Sequence, residues 1–127
     1  MPTDLKFITA KNAPAAIGPY SHAVIANGFV FCSGQIPLDP AGNIVSRAAA
    51  DQTTQVMKNI AAILEASGSA MSKIVKCTIF LKNLGDWGVV NDAYAKALGE
   101  HRPARATVEV ARLPKEVLVE IDCVAVV

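Results

Sequence analysis

PARATVEVARLPKEVLVEIDCVAVV, residues Pro103 to Val127, contains two runs with a period of two. Val108 and Val110 alternate with Arg105, Thr107 and Glu109. Val117, Val119, Ile121, Cys123, Ala125 and Val127 alternate with Leu118, Glu120 and Asp122. That period makes each run a strand with two defined faces, and Leu113-Pro114-Lys115 supplies a short turn between them. The expectation is a pair of neighbouring strands whose sheet holds Arg105 and Glu120 a few ångströms apart. Arginine's planar fork suits bidentate capture of a carboxylate, and a nearby glutamate could hold and polarise a water. Together they would make a hydrolytic site for a small anion. The competing reading is a cross-strand salt bridge on a half-exposed face.

Working outward, Lys73 to Leu81 reads as another strand, with Val75, Cys77, Ile79 and Leu81 on its deep face. Between it and Pro103, a helix capped by Asp86 runs to about Leu98. Its buried stripe is Val90, Tyr94, Ala97 and Leu98, and Gly99 ends it. Upstream, Val56, Ile60, Ile63 and Leu64 repeat at helical spacing and predict a helix over Ala49 to Ala66, stopped by Gly68. Asn27-Gly28 joins His22–Ala26 to Phe29–Ser33 and is the pair a type I′ hairpin turn demands. Leu5 to Thr9 adds a short strand, and Pro37 to Asn43 a turn-rich excursion. The order β-ββ-α-β-α-ββ implies an α+β fold, a mixed sheet with two helices on one face. The other face then needs cover, and a closed ring of subunits would supply it.

With 127 residues and 52% apolar content, the chain makes one domain, residues 1–127, with a good core. A net charge of +1 from 12 basic and 11 acidic residues, scattered along the chain, leaves no footprint for a phosphate backbone, so nucleic acid is not an expected partner. No apolar run matches a signal peptide or a membrane span, and a soluble cytoplasmic protein is the default. Cys32, Cys77 and Cys123 lie in separate apolar segments and read as buried thiols. With two histidines and no Cys-x-x-Cys or His-x-x-x-His spacing, no metal is expected. Neither a serine elbow nor a phosphate-cradling glycine loop is present.

Several stretches in order resemble the reactive intermediate deaminase family, the RidA or YjgF type. They are Ala15-Ala-Ile-Gly-Pro-Tyr-Ser21, Ser33-Gly-Gln-Ile-Pro-Leu-Asp-Pro40, Gln55 to Asn59, Val75-Lys-Cys-Thr78, Pro103-Ala-Arg-Ala106, Val108 to Lys115 and Val119-Glu-Ile121. The resemblance spans nearly the whole chain. It implies a chorismate-mutase-like fold and a homotrimer around a sheet-lined barrel, with ligand clefts at the subunit interfaces. It further implies cofactor-free hydrolysis of 2-enamino and 2-imino acids, such as 2-aminoacrylate, 2-iminopropanoate and 2-iminobutanoate, to 2-oxo acids and ammonia. By similarity Arg105 is the carboxylate clamp and Glu120 holds the attacking water. Tyr20 walls the pocket, Ser33 and the Gly34 N–H contact polar ends of the ligand, and Trp87 and Asn91 match a family aromatic and asparagine nearby.

The chain departs from the common pattern at three places. Thr107, in the substrate-binding stretch, stands where many bacterial members have cysteine. His22 replaces a common glutamine, and Arg102 a frequent phenylalanine. His22 and Arg102 could alter the pocket rim, and Arg102 could add an anion contact. The alternatives to a deaminase are a metabolite-binding or chaperone-like module, an endoribonuclease or translation inhibitor, and a specialised deaminase of 2-aminomuconate-type substrates.

Overall fold

A computed structural model describes residues 4–127. Six strands, β1 (Lys6–Ile8), β2 (Ala23–Ala26), β3 (Phe29–Gln35), β4 (Ile74–Leu81), β5 (Ala104–Glu109) and β6 (Val119–Val126), and two helices, α1 (Ala49–Ala66) and α2 (Trp87–Leu98), follow the predicted order. The sheet order is β1-β2-β3-β6-β4-β5, antiparallel except for the β4/β5 pair. The α+β class, the mixed sheet and the two helices agree with the reading of the sequence. Among the described residues no helix is long and apolar enough to cross a membrane.

The hairpin turn forms as its residue pair requires, with φ of 51° at Asn27 and 80° at Gly28. Gly68 and Gly99, at φ of 76° and 63°, end α1 and α2 in the left-handed region. The apolar stripe of α1 is buried to completion at Val56, Ile60, Ile63 and Leu64 and packs on Val30, Ile79 and Ile121 of the sheet. Removing that much apolar surface from water is the main stabilising term.

The expected pairing of the last two strands is corrected. β6 lies between β3 and β4, and β5 lies beyond β4 at the sheet edge. Burial decides this arrangement. Val119, Ile121, Cys123 and Ala125 of β6 are all at most 2% exposed and need neighbours on both sides, while β5 carries Arg105, Glu109 and small alanines, which an edge tolerates. β5 returns parallel to β4 through α2, the usual crossover for parallel strands.

Three smaller expectations also change. A register shift between Ile74 and Lys76 puts Ile74 in the core and Val75 outside, the reverse of simple alternation, before Cys77, Ile79 and Leu81 resume the deep face. Ala97 is exposed, because a narrower stripe of Val90, Tyr94 and Leu98 suffices to seat the short α2. Asp86 occupies the N-cap position without a side-chain bond; Asn83 caps the preceding 3₁₀ turn instead, accepting from the Gly85 N–H at 2.8 Å. The three cysteines are buried free thiols, aligned as Cys32, Cys123 and Cys77 across β3, β6 and β4. Burial pushes the Cys77 thiol up to about 11.

Part of the face away from the helices, on β1, β2 and β3, is apolar and open. One row across it pairs Phe7, Val24, Phe31 and Val124, and Phe29 pairs with Val126 beside it. Phe7, Phe29 and Phe31 are 66%, 41% and 48% exposed. An uncovered apolar patch of this kind marks an interaction surface.

Candidate active site

A register shift between Cys32 and Gln35 interrupts the β3/β6 ladder and opens a cleft of about 360 Å³ beside it. Four residues named from the sequence line it: Tyr20, Ser33, Gly34 and Glu120. Ile17 and Ile36, from two of the family-like stretches, and Pro114, from the turn before β6, complete the wall, though none is among the expected site residues. Its apolar lining with a few converging polar groups is the usual character of a small-ligand site.

Tyr20, Ser33 and the backbone around the cleft are held from behind. The Tyr20 hydroxyl accepts from the Ile17 N–H at 3.2 Å, closing the loop on itself. The Ser33 hydroxyl donates to the Ser21 carbonyl at 2.6 Å and keeps its lone pairs available. Gln35 donates from Nε2 to the Ser33 and Gly34 carbonyls. Buried Asn59 donates to the Ile36 and Leu38 carbonyls at 3.2 and 2.9 Å, and Gln55 donates to it. Buried Gln52 links the Ser46 carbonyl to the Leu118 N–H, two residues before Glu120. The Gln55 to Asn59 stretch therefore anchors the cleft wall to α1.

Gly34 is required by close approach. A Cβ built there would overlap Oε2 of Glu120 and lie 3.0 Å from its Cδ. The carboxylate thus rests on bare backbone, the situation that a glycine inside a strand pattern signals. Half-buried Glu120 has its pKa raised above the ordinary carboxylate value, first by burial and then by Asp122 two residues on. Asp122 is raised too, by burial, against the lowering influence of Thr78 and Lys76.

Arg105 lies elsewhere, which corrects the expected juxtaposition. Cys77 pairs with both Arg105 and Cys123, and directly paired residues share a face, so Arg105 points to the helix side. Glu120 stands three residues from Cys123 on β6 and therefore points to the open side. Two strand spacings and three residues of rise separate their backbones by roughly 14 Å. The salt-bridge alternative falls with the same geometry.

Arg105 instead packs on α2, its Cζ 5.1 Å from the Trp87 ring centroid and 5.3 Å from that of Tyr94. Among the described residues no hydrogen bond or ion pair engages its guanidinium, which leaves its donors free for an anion. Thr107 follows two residues on along the same side, half-buried, with Oγ1 enclosed and unpartnered. Asn91 is half-buried one turn of α2 after Trp87. The chain therefore gathers its expected site residues into two groups, Tyr20, Ser33, Gly34 and Glu120 in the cleft and Trp87, Asn91, Arg105 and Thr107 at the β5–α2 edge.

Helical spacing makes Tyr94 a core residue, and it is 5% exposed. Its seven-residue spacing from Trp87 already placed both rings on one helix face. The two remaining departures do not reach the cleft rim. His22 is 4% exposed; Nδ1 accepts from the Ala10 N–H and Nε2 faces the Pro14 carbonyl, both at 2.9 Å, so the imidazole pins the loop leading to Tyr20. Arg102 turns back to donate to the Gly99 and His101 carbonyls at 2.6 and 2.8 Å, capping the end of α2.

The profile of the Endoribonuclease L-PSP family matches residues 10–127. A RutC family protein of Pyrococcus horikoshii is 50% identical over 119 residues, covering 93% of this chain and 94% of that protein. The 2-iminobutanoate/2-iminopropanoate deaminase of Salmonella typhimurium is 47% identical over 124 residues, 95% of this chain and 97% of its own length. Among solved structures, an Entamoeba histolytica protein described as a "putative endoribonuclease L-PSP" superposes with a TM-score of 0.95 at 46% identity, covering 98% of this chain and 100% of that one. Escherichia coli TdcF with bound serine gives 0.91 at 40% identity, covering 96% and 98%. On its matched length, its sheet order and the motifs that line its cleft, the chain belongs to the RidA/YjgF family, described by its profile as Endoribonuclease L-PSP.

Proposed function

We propose that this protein hydrolyses reactive 2-imino and 2-enamino acids, 2-iminopropanoate and 2-iminobutanoate among them, to 2-oxo acids and ammonia, at clefts shared between copies of the chain. The observation that carries the proposal is the split geometry. A 2-imino acid presents its carboxylate on the carbon next to the one attacked, so clamp and water must lie within one small molecule of each other. In one chain Arg105 and Glu120 are on opposite faces of the sheet. Arg105 from one copy set against the cleft of another satisfies the chemistry, and the exposed row of Phe7, Phe29 and Phe31 supplies apolar area for the assembly. The homotrimer implied by the family resemblance is the arrangement we adopt. The Salmonella relative named for this reaction and the serine-bound relative both support a small carboxylate ligand.

In the reaction, an enamine first takes a proton at C3 to give the imine. Arg105 holds the carboxylate through paired N–H donors. Glu120, made more basic by burial, accepts a hydrogen bond from water and takes its proton as the oxygen bonds to C2. The C=N π pair moves to nitrogen, which receives both protons of the water, one by way of Glu120 and one from the new C2 hydroxyl; the C2–N bond then breaks, ammonia leaves and the C2 oxygen becomes the carbonyl of the 2-oxo acid. Tyr20 walls the ligand, Ser33 and the Gly34 N–H meet its polar end, and Asn91 and Thr107 complete the clamp side. No step calls for a cofactor. Endoribonuclease action, present in the family's description, has no support in the near-neutral charge.

Ammonia and 2-oxobutanoate release from 2-iminobutanoate generated in situ tests the activity, with Arg105→Ala and Glu120→Gln as controls. Mixing the two inactive variants after dissociation and reassembly tests the sharing. In a randomly mixed assembly about a quarter of the clefts combine an intact arginine with an intact glutamate, and turnover returns to that level. No acceleration by the unaltered protein would refute the deaminase. Full activity in each variant alone would remove both residues from the chemistry, and mixtures that stay inactive would refute the shared site.

A further inference from the structure

We infer that Trp87 and Tyr94 are the positioning residues of the anion clamp, two rings of α2 that hold the Arg105 guanidinium in register for a carboxylate. The inference rests on the function proposed above and concerns how its arginine is made ready. Arginine in water samples many rotamers, and fixing it costs binding energy unless the protein has fixed it already. Here Arg105 has no carboxylate or carbonyl holding it among the described residues. What it has is two aromatic centroids at 5.1 and 5.3 Å, both within the range of a cation–π contact. Aromatic contacts restrain the guanidinium through the ring faces and use none of its N–H groups, so the fork stays free for a ligand. An ion pair would hold it as firmly and occupy those donors.

The rings differ in a useful way. Tyr94 is buried, its hydroxyl enclosed next to the Cys77 thiol without a well-formed hydrogen bond, and burial drives its pKa upward, so it stays a neutral phenol. Trp87 is 43% exposed at the start of α2. Tyr94 is the inner wall and Trp87 the outer one. Because Trp87 is the chain's only tryptophan, an anion drawn to Arg105 changes the field at the one indole, and the clamp reports its own occupancy.

The test uses the intact protein with 2-oxobutanoate as probe and its neutral carboxamide as control. Affinities come from ligand-observed NMR and, where Trp87 is present, from its emission. The unaltered protein binds 2-oxobutanoate with a change in emission. Trp87→Leu and Tyr94→Leu each weaken binding about tenfold, the scale of one partly desolvated cation–π contact, while Tyr94→Phe retains the ring and restores the affinity. Binding of the carboxamide does not respond to the loss of either ring. Should Tyr94→Leu fail to fold, Trp87→Leu, at an exposed position, carries the test alone. Trp87→Leu binding within twofold of the unaltered protein, while Arg105→Ala loses the ligand, overturns the aromatic clamp and leaves the proposed function standing. Arg105→Ala binding as tightly as the unaltered protein overturns both.

Discussion

Gly34→Ala is the sharpest single perturbation of the cleft, because it adds one methyl group at a point where the structure has no room for it. The new Cβ would overlap Oε2 of Glu120 and sit 3.0 Å from Cδ and 3.3 Å from Cγ. Carbon atoms rest comfortably about 3.5 to 4.0 Å apart, so the carboxylate must retreat by about 1 Å. The displaced atoms end a flexible side chain, and folding stability should change by less than about 1 kcal/mol. Catalysis tolerates far less, since a 1 Å misplacement of a reacting group costs about 10²-fold. The expected outcome is a variant with an unchanged denaturation midpoint, unchanged assembly and a roughly hundredfold loss of imine hydrolysis. Steady-state ammonia release and chemical denaturation measure the two sides. In the double variant Gly34→Ala/Glu120→Gln the added methyl costs no further activity, because the group it displaces no longer functions. Turnover in Gly34→Ala within a few-fold of the unaltered protein would refute the claim that Glu120 must rest on that bare backbone.

Asn59→Leu leaves the Ile36 and Leu38 carbonyls without their donor in a buried setting, and should lower stability by about 2–4 kcal/mol in urea unfolding. Glu116 adopts φ of 59°, a left-handed conformation that suits glycine, and its ion pair with Arg112 is exposed on both sides. Glu116→Gly should therefore raise the thermal midpoint by roughly 2–4 °C, and a fall would show that the pair outweighs the backbone strain. Asp122 and Glu120 both have raised pKa values, so their contribution to stability is present below the unfolded values and is lost as pH rises through the folded ones. Asp122→Asn should stabilise the fold near neutrality, give nothing below about pH 3.8, and move the acid limb of turnover to lower pH by relieving Glu120. A limb that does not move would separate Asp122 from the titration of Glu120.

What could be read from the chain alone followed the range over which each signal acts. Asn27-Gly28 specified its turn because two adjacent positive φ angles are a local demand, and Gly68 and Gly99 ended their helices for the same reason. Strand order is a nonlocal outcome. The short connection from β5 to β6 suggested a direct pair, yet β4 enters between them, because only a central position buries alternate residues of β6 from both sides. The face of Arg105 depended on that order and could not be read without it. The register shift at Ile74 to Lys76 moved Val75 out of the core by the same kind of nonlocal adjustment. Gly34 was legible as a site residue by resemblance, but its reason, the carboxylate resting against it, needed the fold. Tyr94 carried a helical-spacing signal that a core reading absorbed.

On the proposed reading the pleat makes activity depend on assembly. Among the described residues Arg105 has free donors without a carboxylate partner and Glu120 lines a cleft without a cationic one, because pairing parity sends them to opposite faces of one sheet. No rotamer change carries a side chain through a hydrogen-bonded sheet, so a single chain cannot repair the division. A second copy can, and the exposed phenylalanines on the open face supply the apolar burial that would hold it. The same association that covers Phe7, Phe29 and Phe31 would then complete the site. Dilution to the point of dissociation should remove turnover in proportion to the loss of assembled clefts, whereas an enzyme with its site in one chain would keep constant specific activity.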